Sequence, residues 1–77
     1  MNITVKYFGQ IVDVTNTQEE VVEINSGQVS DLLDVLNKKY DQLQLKDFQI
    51  AQNQELVTLD TELTGLEIAL LPPFSGG

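Results

Sequence analysis

The first ten residues alternate between apolar and polar. Ile3, Val5 and Tyr7 fall on one side, and Thr4, Lys6 and Phe8 on the other. That is the period-two pattern of a half-buried strand. Gly9 ends the run. Ile11, Val12 and Val14 then form a short apolar group before Asn16, and two conformations fit it: a turn of helix or a continuation of the strand. A second strand is predicted over 19–24, with Val22 and Ile24 inward. Asn25-Ser26-Gly27 has the composition of a turn. Over 28–40 the period changes to 3.6. Val29, Leu32, Leu33, Leu36 and Tyr40 make one apolar stripe of a helix, with Ser26 the expected N-cap. Asp31 and Asp34 come early and Lys38 and Lys39 late, as the helix dipole favours. Asp34 and Lys38 are spaced to pair one turn apart. These charges read as a solvated face that contributes little to stability.

Residues 41–47 look irregular. Short strands are predicted over 48–51 and 56–59, with Asn53-Gln54 as the turn between them and a further turn at Gly65. The last strand, over 67–71, is apolar almost without interruption, which predicts a central strand beside the first, buried on both faces. Strand, strand, helix, then three short strands is an α+β order. The arrangement it predicts is a β-grasp, ubiquitin-like: a mixed sheet with one main helix packed across it and a right-handed crossover. The chain reads as a single domain over 1–77, with 72–77 as a protruding C-terminal tail.

Composition narrows the chemistry. The 77 residues contain four Lys, twelve Asp or Glu, no His and no Cys, for a net charge of −8. Without Cys there is neither a disulfide framework nor a thiolate nucleophile, and without His no imidazole base. Four dispersed lysines against twelve acids argue against nucleic acid as a partner. No apolar run is long enough to span a bilayer, so no membrane is expected. The first residues lack the basic and apolar regions of a secretory signal, which leads to the expectation of a cytoplasmic protein. The acidic surplus favours a protein partner with a basic face.

The C-terminal stretch Leu71-Pro72-Pro73-Phe74-Ser75-Gly76-Gly77 is the most informative. Each proline fixes its own φ and pushes the preceding residue towards an extended conformation. A sheet strand is thereby terminated, and the chain leaves as a stiff arm. Six residues at roughly 3.3 Å each reach about 20 Å. Gly76 and Gly77, lacking Cβ, can pass through a channel too narrow for other residues. Terminal glycines are also common in tails that only fray, so the residues alone leave both readings open.

The ending Leu70-Leu71-Pro72-Pro73-Phe74-Ser75-Gly76-Gly77 resembles the φ-φ-P-P-φ-[ST]-G-G terminus of the molybdopterin synthase small-subunit family, which are ubiquitin-like sulfur carriers. Val5-Lys6-Tyr7-Phe8-Gly9-Gln10 is similar to that family's first strand, and residues 51–57 to its A-x-N-x-x-x-V segment. Thr64-Gly65-Leu66-Glu67 departs from the family's Asp-Gly-Asp-Glu turn and is one residue shorter. The resemblance implies a sulfur carrier without catalytic side chains of its own. A ubiquitin-activating-like adenylyltransferase, using ATP and Mg, would adenylate the Gly77 carboxylate. Sulfur would then replace one oxygen to give a thiocarboxylate. The tail would enter the molybdopterin synthase large subunit, and the sulfur would pass to a cyclic pyranopterin precursor in molybdenum cofactor biosynthesis. No cofactor would be bound by this chain.

On this reading Gly77 carries the reacting group, Gly76 keeps the channel clear and Ser75 hydrogen-bonds its wall. Pro72 and Pro73 preorganise the arm, and Phe74 anchors in a partner pocket. Phe8, Leu56 and Leu71 are either an apolar patch around the arm or ordinary core. Three other functions compete: a thiamine-pathway sulfur carrier, a protein modifier joined to lysines, and an interaction module with an inert tail.

Overall fold

The computed structural model describes residues 1–25, 27–64 and 67–73. Strand β1 (Asn2–Tyr7) buries Ile3, Val5 and Tyr7 and leaves the alternate residues partly exposed. It pairs antiparallel with β2 (Glu19–Glu23), Ile3 opposite Val22, and parallel with β5 (Glu67–Leu71), Val5 opposite Ile68. Strand β3 (Gln49–Gln52) runs antiparallel to β5, and the two-residue β4 (Glu55–Leu56) closes the far edge. The order is β2-β1-β5-β3-β4, a mixed five-stranded sheet. The last strand is central and beside the first, as its apolar character predicts.

The apolar group after Gly9 is helical: α1 spans Ile11–Thr15. Asn16 stops it in the left-handed region at φ 60, where its N–H donates to the Val12 carbonyl at 2.7 Å. Asn tolerates that conformation better than most residues. The main helix α2 spans Val29–Lys39. Its stripe of Val29, Leu32 and Leu36 is fully buried against Ile3, Val5, Ile68 and Leu70 of the sheet, with Leu33 and Tyr40 at the margin. Leu43, on the short 3-10 helix Asp41–Leu45, closes the same core; this segment had no recognisable period.

Four expectations are corrected. The N-cap of α2 is Gln28, and Ser26 lies outside the described residues. Asp31 accepts the Gln28 N–H at 2.8 Å. The next two N–H groups, of Val29 and Ser30, donate to the Thr61 and Leu59 carbonyls, both at 2.9 Å. A loop thus satisfies the donors that every helix start leaves open. The same loop explains the second correction. The predicted strand over 56–59 ends at Leu56, because the Leu59 carbonyl serves α2 rather than a ladder. Third, β5 is buried on one face only: Ile68 and Leu70 face the helix, while Ala69 and Leu71 lie partly exposed on the other side. One helical layer covers the sheet, so the apolar run marks an uncovered face, not a second core. Fourth, Asp34 and Lys38 form no ion pair among the described residues; the helix lysine that pairs is Lys39, with Glu20 of β2. The turn expected at Gly65 lies outside the described residues.

Candidate functional site

Side chains two apart on a strand share a face. On the uncovered face this brings Lys6, Phe8, Gln49, Ala51, Leu56, Glu67, Ala69 and Leu71 around one shallow depression, which Gln54 also lines. Ala51 and Ala69 stand opposite each other across β3 and β5, and their small side chains form the floor. Phe8 is 43% exposed and Leu56 64%. Lys6 and Glu67 pair across β1 and β5 at 3.3 Å. The ordinary-core reading of Phe8, Leu56 and Leu71 does not hold: all three line this depression and none is in the core. Leu71 is the last residue of β5, so the patch runs directly into the root of the tail.

At that root Pro72 and Pro73 are exposed and flank a second cleft with Gly9, Gln10, Leu45, Lys46 and Asp47. Gly9 has φ +61, and a Cβ placed there would stand 2.6 Å from Pro72 Cγ. The φ favours glycine, and the close approach of the ring leaves no room for a Cβ. Phe74, Ser75, Gly76 and Gly77, which carry the proposed chemistry, lie outside the described residues. Among the described residues no cluster of His, Cys, Asp or Glu is placed to hold a metal ion, and no helix is long and apolar enough to cross a membrane.

The ionisable groups that interact most strongly lie on the helix side of the sheet. Glu20 of β2 accepts hydrogen bonds from the hydroxyls of Tyr7, at 2.7 Å, and Tyr40, at 2.5 Å, and from the Lys39 ammonium. The two rings meet edge to face, centroids 6.2 Å apart. Burial pushes the Glu20 carboxyl up, but the bonds from Lys39, Tyr40 and Tyr7 outweigh it and hold it below its ordinary value. Burial and then the bond to Glu20 push the Tyr7 phenol far upward. This network joins β2 to the end of α2 away from the depression, so it serves the fold. Sequence reading missed it, because the four residues lie in three separate elements.

Gln52 was missed as well. It is 7% exposed, its amide donates to the Glu62 carbonyl at 3.0 Å, and its side-chain oxygen accepts the Thr64 N–H at 3.0 Å. Asn53 and Gln54 follow with φ of 53 and 71, which is the pattern of a tight hairpin turn. Gln52 thereby fixes the loop that leads towards β5, and the hairpin holds Leu56 over the depression.

A family model described as the ThiS family matches residues 5–77. The chain belongs to the ThiS family. Across 82 aligned residues this ThiS-family chain is 35% identical to the molybdopterin synthase sulfur carrier subunit of Mycobacterium tuberculosis strain H37Rv, with 100% of the chain and 99% of that protein covered. Among solved structures, molybdopterin converting factor subunit 1 from Pyrococcus furiosus gives a TM-score of 0.88 at 26% identity, covering 95% of this chain and 98% of that one. A chain of the protein–protein complex of subunits 1 and 2 of the molybdopterin-converting factor from Helicobacter pylori gives 0.73 at 31% identity, with 100% of both chains covered. The resemblance seen in the C-terminal motif is borne out, and the ThiS-family fold here is the ubiquitin-like β-grasp.

Proposed function

We propose that this chain is the sulfur carrier subunit of a molybdopterin synthase, with the Gly77 carboxylate as its only reacting group. The observation that carries the reading is the continuity of an uncovered apolar sheet face, Phe8, Leu56 and Leu71, with the proline root of a Gly-Gly tail. A large synthase subunit would cover that face and receive the tail. Its dry contact with Phe8 and Leu56 would supply affinity, while the stiff Pro72-Pro73 pair would reduce the freedom lost on insertion.

The chemistry needs no side chain of this chain. The Gly77 carboxylate attacks the α-phosphorus of ATP in an adenylyltransferase, and pyrophosphate leaves. Hydrosulfide then attacks the acyl carbon of the adenylate, and AMP leaves with the C–O bond pair, so that one oxygen of Gly77 is replaced by sulfur. The thiocarboxylate is carried to the large subunit, where the sulfur passes to a cyclic pyranopterin precursor. Lacking His and Cys, the carrier presents no imidazole or thiol that would attack its own activated terminus. Intact mass after incubation with an activating enzyme, ATP and sulfide tests the proposal. A gain of one oxygen-to-sulfur exchange, lost on deletion of Gly77, is expected; wild-type chain of unchanged mass overturns it.

A further inference from the structure

We propose that Gly9 is a positioning residue, a notch that seats the Pro72 ring and aims the tail. The inference rests on the carrier reading and adds a residue outside the C-terminal motif to it. Three observations converge. The Gly9 Cα faces the ring so closely that a Cβ would stand 2.6 Å from Pro72 Cγ. The Phe8 N–H donates to the Leu70 carbonyl at 3.2 Å, which carries the β1–β5 pairing to the edge of the notch. The notch is itself anchored, since the Gly9 carbonyl accepts the Val12 N–H at 3.2 Å and the neighbouring Ile11 is 2% exposed in the core. A rigid ring with fixed φ therefore rests on a wall tied to the core, at the last point where the sheet can influence the chain.

That contact has leverage. Were the four residues after Pro73 extended in a partner channel, their end would lie roughly 13 Å away, and a tilt of about 15° at Pro72 would move it by about 3 Å. Displacing a reacting group by even 1 Å can cost about 100-fold in rate. Gly9 touches neither partner nor substrate in this account; it acts through Pro72.

The test is a double-mutant cycle between Gly9→Asn and Pro72→Ala. Asn supports positive φ, as Asn16 at φ 60 and Asn53 at φ 53 do in this chain, so Gly9→Asn adds a Cβ with little backbone strain. Pro72→Ala deletes the ring atom that Cβ would strike, leaving its own Cβ 3.5 Å away. Thiocarboxylated wild type, both single variants and the double variant are prepared by hydrosulfide cleavage of a C-terminal thioester fusion. Sulfur transfer is then read in single turnover with the large synthase subunit and pterin precursor, and thermal unfolding checks each fold. Gly9→Asn should slow transfer about 10- to 100-fold when introduced into wild type and less than about threefold when introduced into the Pro72→Ala variant. Equal penalties in the two backgrounds, or none in either, overturn the notch. If Gly9→Asn does not fold, Pro72→Ala alone decides: this exposed residue should leave the melting temperature within a few degrees but slow transfer about tenfold, and undiminished transfer refutes the proposal. Wild type that transfers no sulfur overturns the carrier reading and this inference with it, whereas a failed cycle in active wild type removes only the notch.

Discussion

Glu20 is a carboxylate with three donors and little exposure, so its protonation is coupled to folding. Its folded-state pKa is depressed. The stability it contributes is therefore fully present above the ordinary carboxylate value near 4.5 and is lost as pH falls through the depressed value. Urea midpoints of wild type and Glu20→Gln should differ most above about pH 5 and draw together as pH falls through the depressed value; a gap independent of pH contradicts the network. Gln52 makes a different case, because its group is neutral and its two bonds go to backbone. Gln52→Leu leaves the Glu62 carbonyl and Thr64 N–H without these partners, and should cost about 1–3 kcal/mol at any pH between 5 and 8. Chemical denaturation at two pH values separates these effects.

At the scale of elements, the start of α2 shows how a loop and a helix specify each other. Asp31 holds the Gln28 N–H, and the Leu59 and Thr61 carbonyls take the next donors. Asp31→Ala removes the side-chain half of this cap and should lower stability by about 0.5–2 kcal/mol, measured as a urea midpoint at constant slope. Elements with a clear period were legible in the sequence: β1, α2 and β5 follow directly from Ile3/Val5/Tyr7, from the Val29-to-Tyr40 stripe and from the apolar run over 67–71. Elements fixed by tertiary partners were not. Ser26 has the right chemistry for an N-cap, but the cap falls on Gln28, because the distant loop already supplies acceptors to the helix. Residues 56–59 look like a strand, yet the pairing stops after Leu56 and one bond from the Val57 N–H to the Ile50 carbonyl at 2.9 Å. The run 67–71 suggested burial on both faces, since hydrophobicity alone cannot distinguish a second core from a surface kept for a partner.

That ambiguity becomes the central issue for the molecule as a whole. The tail motif was legible because Pro and Gly act on the backbone locally, whereas the patch needed strand order: Phe8 follows β1, Leu56 is on β4 and Leu71 ends β5, and only the order β1-β5-β3-β4 gathers them. Gly9 read as no more than the end of a strand, because its partner Pro72 is 63 positions away in the chain. An apolar face kept for fold stability and one kept for a partner predict opposite outcomes on substitution. Phe8 is 43% and Leu56 64% exposed in the free chain; Leu56→Ser, at the more exposed of the two positions, removes the less buried area, and the melting temperature should stay within a few degrees. In a complex those side chains would be desolvated at the centre of the contact, where an anchor contributes about 2 kcal/mol or more. Affinity for the large synthase subunit should therefore fall at least about 30-fold, as measured by calorimetry, with the heat-capacity change of binding reduced in proportion to the lost apolar burial. Loss of melting temperature without loss of affinity would assign the face to the fold alone and leave the tail as the sole point of contact with its partner.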